Sequence, residues 1–338
     1  MPGTSPHRRP ALPWVYVFLG LLCVAVFAVS LVVGHGDLGD ADLRGTLLRL
    51  RGLRAGAAFL AGAALAIGGV ALQGLFRNPL VSPSILGTTS GASLGGQVAL
   101  LAFHLAPDWA RPPHVAPEMV LPMGCLAGAL LALGVLLWAT RYSSSFLLLL
   151  LTGFLLSSLF LSLGAFLTSL AQESFELGRA VMSFTLGSVS GVGPRHILLA
   201  LPLVGAGLAA LWLWGRPLDL MLSGEEEART LGVDVPLVRT WTVAWVAIVT
   251  AAAVSIGGNV GFVGLIVPHA LRPFVGVASR RLFPAAFLGG GTFLVLCDIL
   301  ARAVPSRSEI PLGVVTGLLG APLFLFLLLQ SSRKGQLA

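Results

Sequence analysis

The sequence predicts an all-α polytopic membrane protein, with about ten transmembrane helices, a re-entrant half-helix and short helices outside the bilayer. Composition is the first observation behind this prediction: 56% of the 338 residues are hydrophobic, 10% are charged, and the mean hydropathy is +0.92. Soluble domains carry about 25% charged residues. The second observation is that the apolar residues form runs near the ~20 residues that a spanning helix needs. Residues 1–338 are therefore predicted to form a single transmembrane domain.

About ten apolar runs are candidate spans, taken in chain order. They cover residues 11–34, 55–76, a stretch ending near 103, 119–139, 146–170, 196–214, 237–256, 260–277, 282–303 and 311–330. Residues 46–54 form a short amphipathic segment ahead of the second span. Residues 173–190 are too short and too mixed in polarity to cross, which predicts the re-entrant half-helix. An even number of crossings places both termini on one side, and the larger share of basic residues there indicates that this side is cytoplasmic.

Residues 216–239 lie between two long apolar runs and are rich in charge. The charged positions are Arg216, Asp219, Glu225, Glu226, Glu227, Arg229, Asp234 and Arg239. Residues 217–222 are predicted to form a short turn of helix. A compact amphipathic element outside the bilayer is typical of a docking site, although an ordinary solvated loop fits the same residues.

Three local signals predict a second short helix within this segment. Ser223 and Glu226 fit a capping box at its start. Glu225 can pair with Arg229 four residues later. Gly232 is a suitable residue to end the helix. The segment is thus predicted to be folded.

The distribution of ionisable residues limits the chemistry of the chain. Lys334 is the only lysine, and a P-loop needs a lysine on the phosphates. The predicted spans hold almost no acidic or histidine side chains at their centres, where proton- and sodium-driven transporters usually carry them. Asp298 and Arg302, four residues apart, are predicted to form a local ion pair, with contact to a transported solute as the alternative. Energy for uphill transport would therefore have to come from a partner.

An intramembrane enzyme and a passive channel are the alternatives from other functional classes. Ser90 has no histidine evidently placed to activate it, and no aspartates cluster for magnesium on the predicted inner face. Cys23, Cys125 and Cys297 all lie in apolar runs, where thiols behave as small apolar side chains. No metal site is therefore predicted. Residue chemistry alone indicates a polytopic membrane protein of the transporter class.

Four stretches of sequence together resemble one known family. They are GAAL at 62–65 with QGLFRNPL at 73–80 and LGTTSGA at 86–92; GEEEARTLGV at 224–233; GFVGLIVPH at 261–269 with Arg272; and Asp298 and Arg302 with PLGV at 311–314 and GAPLF at 320–324. In this order, over about residues 14–331, they resemble the FecCD-type permease subunit of type II ABC importers. Members of that family carry ferric siderophores, haem and cobalamin.

The resemblance implies a set of partners and a location. A second permease copy, either identical or a paralogue, would complete a dimer around a central path. Two cytoplasmic ATPase subunits would bind ATP and magnesium, whereas this chain would bind no cofactor. A periplasmic or lipid-anchored solute-binding protein would deliver the cargo, and nucleic acid would play no part. The chain would be a multi-pass protein of the bacterial inner membrane, with both termini cytoplasmic, and would not itself be an enzyme.

The resemblance also implies roles for individual residues, with residues 216–239 as the coupling-helix loop. The coupling helices that fit a cleft in the ATPase correspond to Leu218, Leu220, Leu222, Glu225, Glu226, Ala228, Arg229, Leu231 and Gly232. Arginines that meet glutamates of the binding protein correspond to Arg51, Arg54 and Arg302. The cytoplasmic gate corresponds to Asn78, Leu80, Ser144 and Ser145. The chain departs from the family pattern at Gly52, where proline is common, and at Phe184, near which tryptophan is usual.

The cargo implied by the resemblance is a metal chelate. A ferric siderophore is the first expectation, and haem and cobalamin are the alternatives within the family. The predicted path is weakly charged, which suits passage rather than tight binding.

Overall fold

The computed structural model describes residues 12–34, 39–106, 117–139, 146–304 and 309–333. Regular secondary structure within these ranges consists of α-helices. They are α1 (Leu12–Val32), α2 (Ala41–Leu75), α3 (Thr88–Leu105), α4 (Pro117–Ala139), α5 (Phe146–Ala171), α6 (Phe175–Leu186), α7 (Pro194–Leu213), α8 (Gly215–Met221), α9 (Glu225–Thr230), α10 (Val235–Gly257), α11 (Val263–Val275), α12 (Ser279–Ala303) and α13 (Leu312–Arg333). The predicted all-helical class is confirmed.

Seven of the described helices are long and apolar enough to cross a membrane: α1, α2, α4, α5, α7, α10 and α12. Helix α11 and the 312–326 part of α13 are shorter apolar helices. Helix α3 has 18 residues but contains several serines, threonines and a glutamine. These ten helices follow the order of the predicted spans, and the number of crossings stays a prediction.

Helix α2 joins two elements that were predicted as separate from the sequence. The amphipathic segment 46–54 and the span 55–76 form one helix of 35 residues, about 52 Å long at 1.5 Å per residue. Asp40 caps its start, where the side chain accepts a hydrogen bond from the Asp42 amide. No proline interrupts the chain between 41 and 75, so the helix has no reason to stop at the first apolar residue.

The predicted half-helix is present as α6. Its 12 residues extend about 18 Å, which is shorter than the ~30 Å hydrocarbon core. The chain leaves α6 at Gly187, which has a φ of 81°. The Asn259 amide donates to the Phe184 carbonyl and the Leu312 amide to the Gly187 carbonyl. The end of α6 is therefore bonded both to the α10–α11 connection and to the start of α13.

Close packing of α3 on α4 depends on glycine. A β-carbon added at Gly95 would clash with the Gly124 carbonyl oxygen, and one added at Gly128 would clash with the Gly91 carbonyl oxygen. Gly91 and Gly95 in α3 and Gly124 and Gly128 in α4, each pair spaced four residues apart, thus lie in one helix–helix contact. A contact between two backbones has no flexible side chain that could move aside.

Helix α12 connects the two ends of the bundle. Its 25 residues span about 37 Å. At its N-terminus, the Ser279 amide donates to a side chain of α8. At its C-terminus, Arg302 bonds to the last carbonyls of α1. We call these regions the α8–α9 end and the arginine end.

Candidate functional site

The arginine end is built around the carboxylate of Asp298. Arg54 Nε lies 2.9 Å from Asp298 Oδ1, and Arg302 lies 2.9 Å from Asp298 Oδ2. Arg54 Nη1 also donates to both carboxylate oxygens of Glu309, at 2.8 and 2.7 Å. The predicted Asp298–Arg302 pair is confirmed, and α2 adds a second cation to it. Asp298 is fully buried, where an unpaired charge would be costly.

Arg51 and Arg302 satisfy backbone carbonyls at the end of α1. Arg51 donates to the carbonyl oxygens of Leu31, Val32 and Gly34 at 2.8–3.1 Å. Arg302 donates to those of Ser30 and Val33. The last carbonyls of a helix have no partner within it, and arginine side chains can supply one. Both arginines are only 6% exposed, which follows from this capping role.

The three predicted docking arginines lie around one open cleft of about 580 Å³. Arg49 and the 189–194 segment after α6 complete its wall. We call it the arginine cleft. Glu309 also lines it, although the sequence analysis gave this residue no role. The structure therefore brings the three arginines together, and it holds each of them by internal bonds.

At the α8–α9 end, the two short helices predicted in residues 216–239 are present. Ala228 and Leu218 are fully buried, whereas Leu220, Leu222 and Leu231 are 37%, 39% and 63% exposed. The buried pair attaches the two helices to the bundle. The exposed leucines stand beside exposed glutamates and Arg229, which makes a mixed apolar and charged surface.

Two local details of this end differ from the prediction. Gly224, with a φ of 140°, precedes α9 and no side chain caps the helix. Ser223 is not the cap because its amide closes the end of α8 on the Leu220 carbonyl. Glu225 pairs with Arg239 at 2.6 Å rather than with Arg229. The predicted stop is confirmed: Gly232 has a φ of 84° and follows the last turn of α9.

Asp219 joins this surface to α12. Its Oδ1 accepts a hydrogen bond of 2.7 Å from the Ser279 amide, 60 residues away in sequence. Ser279 is the first residue of α12, so Asp219 satisfies one of the free amides of that helix from outside. Trp212 adds a hydrogen bond to the Arg280 carbonyl, and Arg280 lies 5.1 Å above the Trp212 ring.

The predicted gate residues are described only in part. Asn78 and Leu80 form a tight turn after α2, in which the Asn78 side chain accepts from the Leu80 amide at 2.8 Å. Ser144 and Ser145 lie outside the described residues. A cleft of about 190 Å³ is lined by both Asn78 and Leu222. The turn after α2 therefore faces the same space as the end of α8.

Arg272 stabilises the wall of this small cleft. It donates to Gln73 Oε1 at 2.6 Å, and Gln73 donates in turn to the Gly264 carbonyl. Gln73 is 1% exposed. These bonds connect α2 to α11 immediately above the turn at Asn78. Among the described residues, no group of three or more His, Cys, Asp or Glu side chains could hold a metal ion.

Seven helices that are long and apolar enough to cross a membrane, a half-helix and two short helices at one end are the architecture of a polytopic membrane protein. The FecCD transport family profile matches residues 14–330. The chain belongs to this family, whose members are permeases of ABC importers.

Two relatives and one solved structure place the chain within the family. It is 42% identical over 269 residues to the "Cobalamin import system permease protein BtuC" of Halobacterium salinarum, covering 79% of this chain and 69% of that one. It is 38% identical over 273 residues to the "Fe(3+) dicitrate transport system permease protein FecD" of Escherichia coli, covering 81% of each. An inward-facing structure of a metal-chelate type ABC transporter superimposes with a TM-score of 0.80 at 31% identity, over 94% of this chain and 99% of that one.

Proposed function

We propose that this protein is the permease subunit of an ATP-driven importer that carries a metal chelate, most simply a ferric siderophore, across the bacterial inner membrane. The observation that carries this proposal is the surface at the α8–α9 end. Three exposed leucines and several charges on two short helices are the mixture that a docking surface needs. The family supplies the partner that such a surface fits, an ATPase subunit.

In the proposed mechanism, conformational changes of that ATPase are transmitted through α8 and α9 into the helix bundle. Leu220, Leu222, Leu231, Glu226 and Arg229 would contact it, because their side chains are exposed. Leu218 and Ala228 would hold the coupling helices in place, because they are buried. Movement of α8 would then reach the turn at 78–80 through the small cleft that both elements line. Ser144 and Ser145 would complete this gate.

The arginine end would face the solute-binding protein, and both termini would lie in the cytoplasm. Arg51, Arg54 and Arg302 surround the arginine cleft, and charge complementarity there would orient the incoming partner. A second copy of the permease, identical or paralogous, would complete the path. ATP and magnesium would be bound by the two ATPase subunits.

Cobalamin is the second candidate cargo. The relative from Halobacterium salinarum, at 42% identity, is named for cobalamin import, and the relative from Escherichia coli, at 38%, is named for ferric dicitrate transport. Sequence identities this similar do not favour one of these two cargoes over the other. Haem is the third candidate of the family.

Uptake into proteoliposomes tests the proposal. The permease would be purified with its ATPase and its binding protein, and offered radiolabelled ferric siderophore, haem and cobalamin, each with and without ATP. ATP-dependent accumulation of the ferric siderophore is the expected result. Accumulation of cobalamin alone would support the importer function and identify cobalamin as the cargo. Assembly and ATP hydrolysis without uptake of any of the three would refute the metal-chelate class.

A further inference from the structure

A second cleft lies beside the arginine cleft, along the half-helix α6. Its volume is about 460 Å³, which is within the range of small-molecule sites. We call it the α6 cleft. The two clefts share Arg54, Val189, Ser190 and Glu309, so the Arg54–Glu309 ion pair lies between them. A solute that leaves the arginine cleft along α6 would enter the α6 cleft next.

Helix α6 presents a polar face to this cleft. Leu177, Val181 and Phe184 are buried in the protein. Arg179 and Ser183 are exposed, four residues apart and therefore on one face of the helix, and both line the cleft. The opposite polarity of its two faces explains why α6 is held at the edge of a cavity.

Hydroxyl groups continue this polar wall beyond the end of α6. Ser188 and Ser190 line the cleft, and their hydroxyl oxygens lie 2.5 Å apart. One hydroxyl donates to the other at this distance, so the pair keeps one proton that it can donate to an oxygen acceptor of a ligand, and Ser183 adds a further hydroxyl. The wall thus offers hydrogen-bond donors next to a cation.

The charge of the cleft is unbalanced. Glu309 is its carboxylate, and both oxygens of that carboxylate are bonded to Arg54. Across the part of the chain that the structure describes, Arg179 makes no ion pair, either with Glu176 one turn earlier or with any other carboxylate. Arg179 is therefore the cation in this cleft that is available to a ligand.

We propose that the α6 cleft is a transit site for an anionic metal chelate and that Arg179 is its specificity-determining residue. A guanidinium binds a carboxylate through two parallel hydrogen bonds, and the serine hydroxyls donate to the remaining oxygens. A chelate without negative oxygen groups gains nothing from Arg179. This inference rests on the proposed importer function, and it narrows the cargo to chelates with free or metal-bound carboxylates.

Transport at saturating binding protein tests the inference, because Arg179 would act after docking. The assembled complex in proteoliposomes would receive iron-55 citrate, which is anionic, or a neutral ferric trihydroxamate, each with its binding protein in excess. Arg179→Gln should lower the initial rate for ferric citrate about fivefold, the effect of one unit charge at about 4 Å in water. Arg179→Lys should restore part of that rate, because it keeps the charge and loses the planar fork.

Arg195→Gln is the matched control. Arg195, at the start of α7, is 77% exposed and pairs with Glu118 of α4. Its replacement therefore removes the same charge outside the α6 cleft. Its rate with ferric citrate should equal that of the wild type. The inference falls if Arg179→Gln slows both chelates equally, if it slows neither, or if the wild type carries the neutral chelate only. Absence of ATP-dependent uptake of either ferric chelate by the wild type would also overturn the inference, and the proposed importer function would then fall only if cobalamin and haem stayed outside as well.

Discussion

Replacing Asp219 with alanine should weaken the mechanical connection between α8 and α12. The wild-type side chain accepts the Ser279 amide at 2.7 Å, and loss of such a helix cap costs about 0.5–2 kcal/mol. Leu218 and Met221 of α8 are fully buried and are unchanged in the variant, so α8 stays attached to the bundle. The variant should therefore fold and assemble, but without the hydrogen bond between α8 and the first residue of α12.

The size of the expected effect follows from that cost. A contact can bias a conformational equilibrium by no more than the free energy it contributes differentially to the two states. At about 1.4 kcal/mol per factor of ten, a loss of 0.5–2 kcal/mol corresponds to about a 2- to 30-fold loss of coupling. The assay is the ratio of chelate imported to ATP hydrolysed in proteoliposomes. Asp219→Asn, which keeps an oxygen acceptor, should retain most of the ratio.

Asp234→Ala is the matched control for this experiment. Asp234 also caps a helix, since its Oδ1 accepts the Leu237 amide at 3.1 Å, but both residues belong to the start of α10. The local stability cost should be similar, and no connection between helices is lost. Equal ratios in Asp219→Ala and Asp234→Ala would refute the argument that Asp219 transmits movement.

Three further variants test other parts of the structure. Gly128→Val should separate α3 from α4 and lower the thermal midpoint, at a cost of about 1–3 kcal/mol for overpacking; Gly134→Val, at a position with open space, should not. Glu309→Gln should free Arg54 and lower the half-saturating concentration of binding protein by up to about fivefold, the limit for an exposed ion pair. An unchanged half-saturating concentration would show that Glu309 does not compete with the binding protein for Arg54. Leu231→Asp should prevent co-purification of the ATPase without changing the thermal midpoint, because Leu231 is 63% exposed; normal co-purification would exclude it from the docking surface.

Local signals in the sequence were enough to predict several elements of this fold. Both short helices between residues 216 and 239 were predicted from neighbouring residues, and of the three signals used for α9 the stop at Gly232 is confirmed. The half-helix α6 follows from a segment too short to cross. The predicted cap at Ser223 was wrong because the preceding helix uses its amide, and only the structure shows where that helix ends.

Contacts between distant residues could not be predicted in the same way. Arg54 and Glu309 are 255 residues apart, and nothing near either residue indicates the other. Glycines spaced four residues apart also do not indicate which helices will pack together. Gly95 and Gly128 lie in a close helix–helix contact, whereas Gly261 and Gly317 have open space around them. The spacing permits close approach, and the overall topology decides where it occurs.

The coupling of transport to ATP hydrolysis through the α8–α9 end is the central claim, and one variant tests it most directly. Residues Glu225, Glu226, Glu227 and Arg229 would all be replaced by alanine, with Glu173→Ala and Glu176→Ala as an acidic control on and before α6. We expect ATP-dependent uptake to fall to background in the first variant and to continue in the control, while the ATPase still hydrolyses ATP. Unchanged uptake in the first variant would show that transport is not coupled to ATP hydrolysis through these residues.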